Sequence, residues 1–294
     1  MSATSTTLGT ARAAAATRPG PTFARLMTAE WTKLTSLRSP WWVAGVTVAV
    51  AALITYLSAQ ASSGDPGFQP LDSLPSGLIL AQVGPLVLGV LAGAGEFRTG
   101  AFRTTFTLAP RRWPVLAAQA LSLTAFALAT AVLATAACVV GLMPAVASRD
   151  ITVDLTAGDT PGVLLGMVLL LVGLALFGFA VGVLLRRTVP AMLTALFLVL
   201  ILPIVLMMAS EPMVGGADTA SLSSPDQVEQ VGVLGTLVVA SPGGAAQLMT
   251  TPASFGPMPG SPDLGPVGGG LVFGAWILVL LVAAAVRLRT RDVR

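Results

Sequence analysis

Few side chains in this sequence can do acid–base, nucleophilic or metal chemistry, and their spacing excludes most of it. The chain has no His, so neither a Ser-His-Asp nor a Cys-His nucleophile system can be assembled. Cys138 is the only Cys and sits in an apolar run, which reads as a small buried hydrophobe unable to form an intrachain disulfide. One Cys without His cannot supply the usual zinc ligand set. Lys33 is the only Lys and no glycine-rich loop precedes it, whereas a phosphate-binding P-loop needs G-x-x-x-x-G-K-[ST]. The sequence therefore predicts no catalytic residue, no metal and no cofactor, and it reads as a non-enzyme that cannot hydrolyse ATP through a P-loop of its own.

The charged residues are informative through where they lie. Only 10% of the 294 residues are charged, 54% are hydrophobic, and the mean hydropathy is +0.85. A soluble domain carries roughly 25% charged residues, so this chain has too little polar surface to cover a water-facing globule. Six runs lack Asp, Glu, Lys and Arg altogether: 41–59, 78–95, 113–140, 163–185, 189–209 and 267–286. Each reaches the ~17–25 residues that cross a hydrocarbon core; the third exceeds it, which implies tilt or an exposed end. The expected fold class is all-α: a polytopic integral membrane protein with six transmembrane helices. Arg186 and Arg187 leave the link between the fourth and fifth runs so short that those two must form an antiparallel hairpin. A net charge of +3 is no nucleic-acid signal, because most of the chain has no solvated face on which to gather it.

Every Lys and Arg except Arg149 falls in segments that alternate spans place on one side, while most acids fall on the other. The positive-inside rule then puts both termini in the cytoplasm of a cell membrane. The last external loop, 210–266, is too long for a turn. Its apolar middle, 228–249, is interrupted at Pro242-Gly243-Gly244 and predicts one or two short helices lying on or dipping into the outer leaflet. A seventh span there would carry the C-terminal Arg cluster outside.

Two segments on the positive side could carry mechanism. Residues 1–21 read as a disordered tail, but in 22–38 Phe23, Leu26, Met27, Trp31, Leu34 and Leu37 trace one helical face. Arg25, Lys33 and Arg38 lie elsewhere on it, and Glu30 is within pairing reach of Lys33. That layout predicts a basic amphipathic helix in the membrane interface, serving either as an anchor or as a contact element through Trp31, Lys33, Leu34 and Arg38. The transmembrane domain then runs over 39–288, with a tail at 289–294. The second segment joins the second and third spans. Glu96, Phe97, Arg98, Thr99, Gly100, Phe102 and Arg103 follow the second span directly, and Arg111 and Arg112 open the third. Between them is room for one short helix anchored by Phe97, Phe102 and Phe106. Its Arg residues could meet an acidic partner surface or simply face lipid headgroups.

The order AEWTKLTSLRSPWW, a span, then GEFRTGAFRTTFTLAPRRWPVLAAQ resembles the type-2 permease family of ATP-binding-cassette exporters, in particular permeases of antibiotic and multidrug exporters that work beside a separate ATPase. The likeness covers about residues 26–290. It implies that Glu30–Arg38 belongs to an elbow helix and that Glu96–Arg112 is the coupling element touching the ATPase. It also implies that Ser241-Pro242-Gly243-Gly244-Ala245-Ala246-Gln247 belongs to an external helical region before the last span. Gln119 departs from the pattern, standing where the resemblance leads one to expect a base.

Gly89-x-x-x-Gly93 and Gly178-x-x-x-Gly182 match the spacing that lets helices approach closely, although a chain with 31 Gly yields such matches by chance. Pro85 and Pro203 lie inside spans and predict kinks, mobile or static. Ion-coupled carriers usually hold an Asp, Glu, Arg or His within the membrane; none of the six runs does, which disfavours proton or sodium antiport. The expected function is the permease subunit of an ABC exporter moving a lipophilic or amphiphilic substrate. Its expected partners are a separate cytoplasmic ATPase, a second identical or related permease, and membrane lipid. The alternative is a non-transporting immunity or sensory protein that binds lipid or antibiotic through the long external loop.

Overall fold

The structure is a computed structural model and describes residues 22–65, 68–99, 112–151, 154–210, 225–252 and 261–290. The described residues are all helix and connecting turns. Six helices are long and apolar enough to cross a membrane: Arg38–Ser62, Pro70–Gly95, Trp113–Ala147, Thr160–Leu185, Thr188–Ala209 and Gly265–Leu288, numbered here as spans 1 to 6. Residues 1–21, with the expected tail, and residues 100–111, with the expected short helix, lie outside the described residues.

Span 4 is the axis of the bundle. Of its most apolar stretch 72% is buried, against 22% for spans 1, 5 and 6, and its sequence is apolar all round, as a surrounded helix requires. The peripheral spans instead expose continuous apolar faces. Trp42, Val46 and Leu53 lie outward on span 1, Leu193, Ile204 and Met208 on span 5, and Leu271, Leu278 and Val279 on span 6. Soluble monomers do not tolerate patches of that extent; lipid does.

Small residues decide which helices meet. Between spans 2 and 4 the two glycine pairs face one another. A Cβ at Gly89 or Gly93 would overlap the Ala175 or Phe179 carbonyl, and one at Gly178 or Gly182 would overlap the Leu86 or Val90 carbonyl. Both motifs are thus one reciprocal interface in which backbone meets backbone. Ala175, Phe179 and Val183 of span 4 and Leu88 of span 2 belong to one apolar cluster around it.

Three spans depart from a plain helix. Span 2 begins as two 3₁₀ turns, Pro70–Ser73 and Pro75–Gly77, passes through one α-turn, Leu78–Ala81, breaks at Gln82, and restarts as Val83–Thr99. Pro85 therefore falls in the first turn of a new helix, where it costs no intrahelical bond, and the expected mid-span kink is a break three residues earlier. In span 5, Thr188–Leu196 passes into a π-helical stretch, Phe197–Ile201, before Leu202–Ser210. This wider turn precedes Pro203, in keeping with π-bulges as a common site of helix distortion. Span 3 lies within a 36-residue helix, Arg112–Ala147, which at 1.5 Å per residue is about 54 Å long and overhangs a ~30 Å hydrocarbon core.

The long loop re-enters the bundle. Pro225–Ala240 runs beside Leu202–Ser210, and Pro242–Leu248 turns back against span 6. Its tip reaches mid-height: Gly243 abuts the Val199 carbonyl halfway along span 5, and the Trp276 indole of span 6 donates to the Ala240 carbonyl at 2.9 Å. Ser241 caps the turn, accepting from the Gly244 N–H at 3.1 Å and donating to the Val238 carbonyl at 2.7 Å. Non-helical backbone at that depth is tolerable only when protein satisfies it, and here it does. The helices have 16 and 7 residues, so neither crosses a membrane alone.

Candidate functional site

With six spans, both described chain ends, the end of span 2, the start of span 3 and the link between spans 4 and 5 gather at one end of the bundle. That end holds every sequence-predicted site residue that is described. Phe23–Ser36 forms a separate helix, in which Thr28, Thr32 and Thr35 each donate to the carbonyl four residues back. Leu37 is extended between it and span 1, so Arg38, expected to close this helix, instead opens the next one. The Trp41 indole donates to the Thr35 carbonyl at 2.9 Å, and its ring meets Phe126 edge-on at 5.4 Å. Ser122 of span 3 donates weakly to the Met27 carbonyl at 3.5 Å. The helix is thereby fixed to spans 1 and 3.

The side turned towards the bundle is Leu26, Met27, Glu30 and Leu34, while Phe23, Trp31 and Lys33 stay exposed. An acid therefore sits among the inward residues. Glu30 keeps only 15% of its side-chain exposure and its Oε2 lies 3.5 Å from Lys33 Nζ. The pair borders a cavity of about 420 Å³ between this helix and spans 1, 2, 3 and 5, with Ser39, Gln119, Ser122 and Thr188 as its other polar lining and Leu34, Val43 and Leu88 among its apolar walls. Gln119, neutral where the resemblance leads one to expect a base, faces the same space as Lys33, which is the cation of this cavity. The volume falls within the ~300–1,000 Å³ of small-molecule sites. One ion pair above apolar walls suits the headgroup region of an amphiphile.

Beside the cavity, the end of span 2 is clasped to spans 4 and 6. Glu96–Thr99 forms the last turn of the Val83–Thr99 helix. Phe97 is half-buried, with the Arg186 guanidinium 5.3 Å above its ring, a cation–π distance. Arg186 caps span 4 in the left-handed region (φ 58°) and donates to the Arg287 carbonyl at 3.2 Å. Arg287 of span 6 reciprocates, donating to the Leu184 carbonyl. Each guanidinium satisfies a carbonyl near the other's helix end, where intrahelical partners run out.

No protein-family model matches the chain, and no curated protein does. What this end of the molecule does is read from its own residues.

Glu96, Phe97, Arg98 and Thr99 are thus brought to the edge of the clasp, and Arg112 opens the helix of span 3. Gly100, Phe102, Arg103 and Arg111 lie outside the described residues. Sequence reasoning assigned Arg186 and Arg287 only to loop charge and missed the clasp. Their placement just after or within the last turn of an apolar helix was the available signal. On the opposite end, Arg149, the lone base there, donates to the Ser63 carbonyl at 2.5 Å and the Asp65 carbonyl at 2.7 Å, closing the end of span 1. Nearby, Asp154 accepts from both the hydroxyl and the N–H of Thr156, and these bonds hold its carboxyl below the ordinary range. Among the described residues no group of three or more Cys, Asp or Glu could hold a metal ion.

Proposed function

We propose that the chain is the membrane-embedded permease subunit of an ABC exporter, moving a lipophilic or amphiphilic cargo, antibiotics among the candidates, on energy from a separate cytoplasmic ATPase. The observation that carries this reading is the clasp. The helix turn 96–99, at the start of the segment 96–112, is joined to span 4 by Arg186 and Phe97, and Arg287 joins span 4 to span 6. Displacement applied to that segment is passed into the bundle's central helix, as a coupling element requires. The spans offer no Asp, Glu, Lys, Arg or His inside their apolar runs, which favours an external energy source over an ion gradient. Two copies, or this chain and a related permease, would form the unit in the cell membrane with both termini cytoplasmic. The Glu30–Lys33 cavity would admit cargo or lipid at the inner leaflet.

The test is co-purification with an ATPase encoded alongside the chain, followed by ATP-dependent efflux from vesicles holding both. Reversing Arg98 and Arg103 to Glu is expected to abolish ATPase association while membrane insertion is kept. Unchanged association would remove the coupling role of 96–112. If no ATPase co-purifies and no ATP-dependent movement is seen, the non-transporting alternative takes its place.

A further inference from the structure

A second cavity, of about 430 Å³, lies at the opposite end of the bundle, between the irregular start of span 2 and the re-entrant helix that ends at Leu248. Its polar lining is Asp72, Ser76, Gln82, Gln247, Thr250 and Thr251. What separates it from an ordinary polar crevice is where the protons go. The Ser76 hydroxyl donates to the Ser73 carbonyl, and both Thr250 and Thr251 hydroxyls donate to the Gln247 carbonyl at 3.0 and 3.1 Å. Gln82 is 6% exposed and spends one of its two amide N–H groups on the Ile79 carbonyl at 2.9 Å. That bond also fixes which end of the amide is nitrogen, and the carbonyl oxygen is left to accept. The backbone N–H groups of Asp72, Thr250 and Thr251 are bonded within their own turns, and Pro75 and Pro252, also in the lining, have none. On the polar side chains the donors these bonds leave over are those of the Gln247 amide and the second N–H of Gln82. The rest of the polar wall presents lone pairs.

The charge is of one sign as well. Asp72 is exposed at the rim and no base lines the cavity. Arg149 is committed to the Ser63 and Asp65 carbonyls. A wall with more acceptors than donors around one carboxylate is the complement of a donor-rich cation, and hydrogen bonds between ionised and neutral partners are about twice as strong as neutral ones. Leu78, Ile79 and Leu170 complete the lining and would take an apolar body.

We infer that this cavity is a binding site for amphiphiles bearing a primary ammonium group, the ammonium lying between Asp72 and the Gln82 carbonyl oxygen and the apolar part against Leu78 and Leu170. The assignment stands apart from the exporter reading, since binding here needs no ATPase. It is tested on the purified full chain in nanodiscs with dansylcadaverine, a fluorescent primary amine, against its N-acetyl derivative (neutral) and its trimethylammonium analogue (charged, without N–H donors). Losing a charged hydrogen bond costs about tenfold or more in affinity, so the acetylated and trimethyl probes should each bind at least that much more weakly. Asp72→Asn should weaken the amine by a similar factor. Asp263→Asn, which removes the same charge from an exposed residue outside the cavity, should change it less than twofold. An acetylated probe that binds as well as the amine overturns the proposal, and so does an Asp72→Asn variant of unchanged affinity. A trimethyl probe that binds as tightly as the amine overturns the acceptor site. The probe comparison uses the wild-type chain, so the proposal remains open to refutation even if Asp72→Asn is not recovered folded. Loss of ATPase co-purification would leave this result untouched, and the converse holds.

Discussion

Glycine does different work at different positions along these helices, and the difference is measurable. At Gly178 a single methyl would collide with the Leu86 carbonyl of span 2, whereas at Gly45 nothing lies within 4 Å. Gly178→Ala forces two backbones apart, and overpacking of this kind costs about 1–3 kcal/mol. Gly45→Ala fills empty space on an exposed helix face and removes a flexible residue, so it should be neutral or stabilising by up to about 1 kcal/mol. Thermal unfolding of the two purified variants checks this: Gly178→Ala should fall below wild type and Gly45→Ala should not. Equal stabilities would mean that the reciprocal glycine contact between spans 2 and 4 contributes nothing. The spacing of both motifs was legible in the sequence, but their mutual pairing was not. Which glycine faces which depends on helix rotation, and a chain this rich in glycine offers many matches. Arg186 and Arg287 were equally visible as charges; that each would seek a carbonyl on the other's span emerges only when the two helix ends lie side by side.

Whole elements show the same division between pattern and depth. The six apolar runs set the helices to within a few residues at most boundaries, because a hydrocarbon core demands unbroken backbone bonding and the sequence must supply it. The breaks were less legible. Pro85 announced a distortion of span 2, but the break lies at Gln82, where local hydrogen bonds end one helix and start another. Likewise Pro242-Gly243-Gly244 announced an interruption without saying how deep it lies. Its depth depends on Trp276, a single side chain on a distant span, whose indole donates to Ala240. Trp276→Phe keeps the ring's apolar bulk and deletes that donor. Interhelical hydrogen bonds in membranes average about 0.6 kcal/mol and reach ~1.7, so the tip should open more often without global unfolding. Hydrogen exchange of the segment 237–248 is expected to quicken in the variant while span 4 stays protected. If exchange there is unchanged, Trp276 does not hold the tip.

At the scale of the whole molecule, a polar asymmetry organises everything above. The described Lys and Arg residues other than Arg149 gather at the end that carries the Glu30–Lys33 cavity and the arginine clasp. The acceptor-lined cavity and the re-entrant loop lie at the other end. Positive-inside reasoning assigns the first end to the cytoplasm, and one cysteine makes that assignment testable without engineering the background. Cys138 is 0% exposed within span 3, so the wild-type chain should not react with a membrane-impermeant maleimide. New cysteines at Asp159 and Asp263 should label on intact cells, whereas those at Arg25 and Arg187 should label only after permeabilisation. Asp263→Cys carries the most weight. If the stretch 225–249 crossed the membrane instead of turning back at Ser241, residue 263 would lie on the side of the N-terminus and stay unlabelled on intact cells. The final span would then deliver its Arg cluster to the outside. Labelling at 159 but not at 263 would therefore establish a seventh crossing and separate the C-terminal end of span 6 from the clasp that Arg287 makes with Leu184. Labelling at both fixes the re-entrant turn and the even number of crossings together.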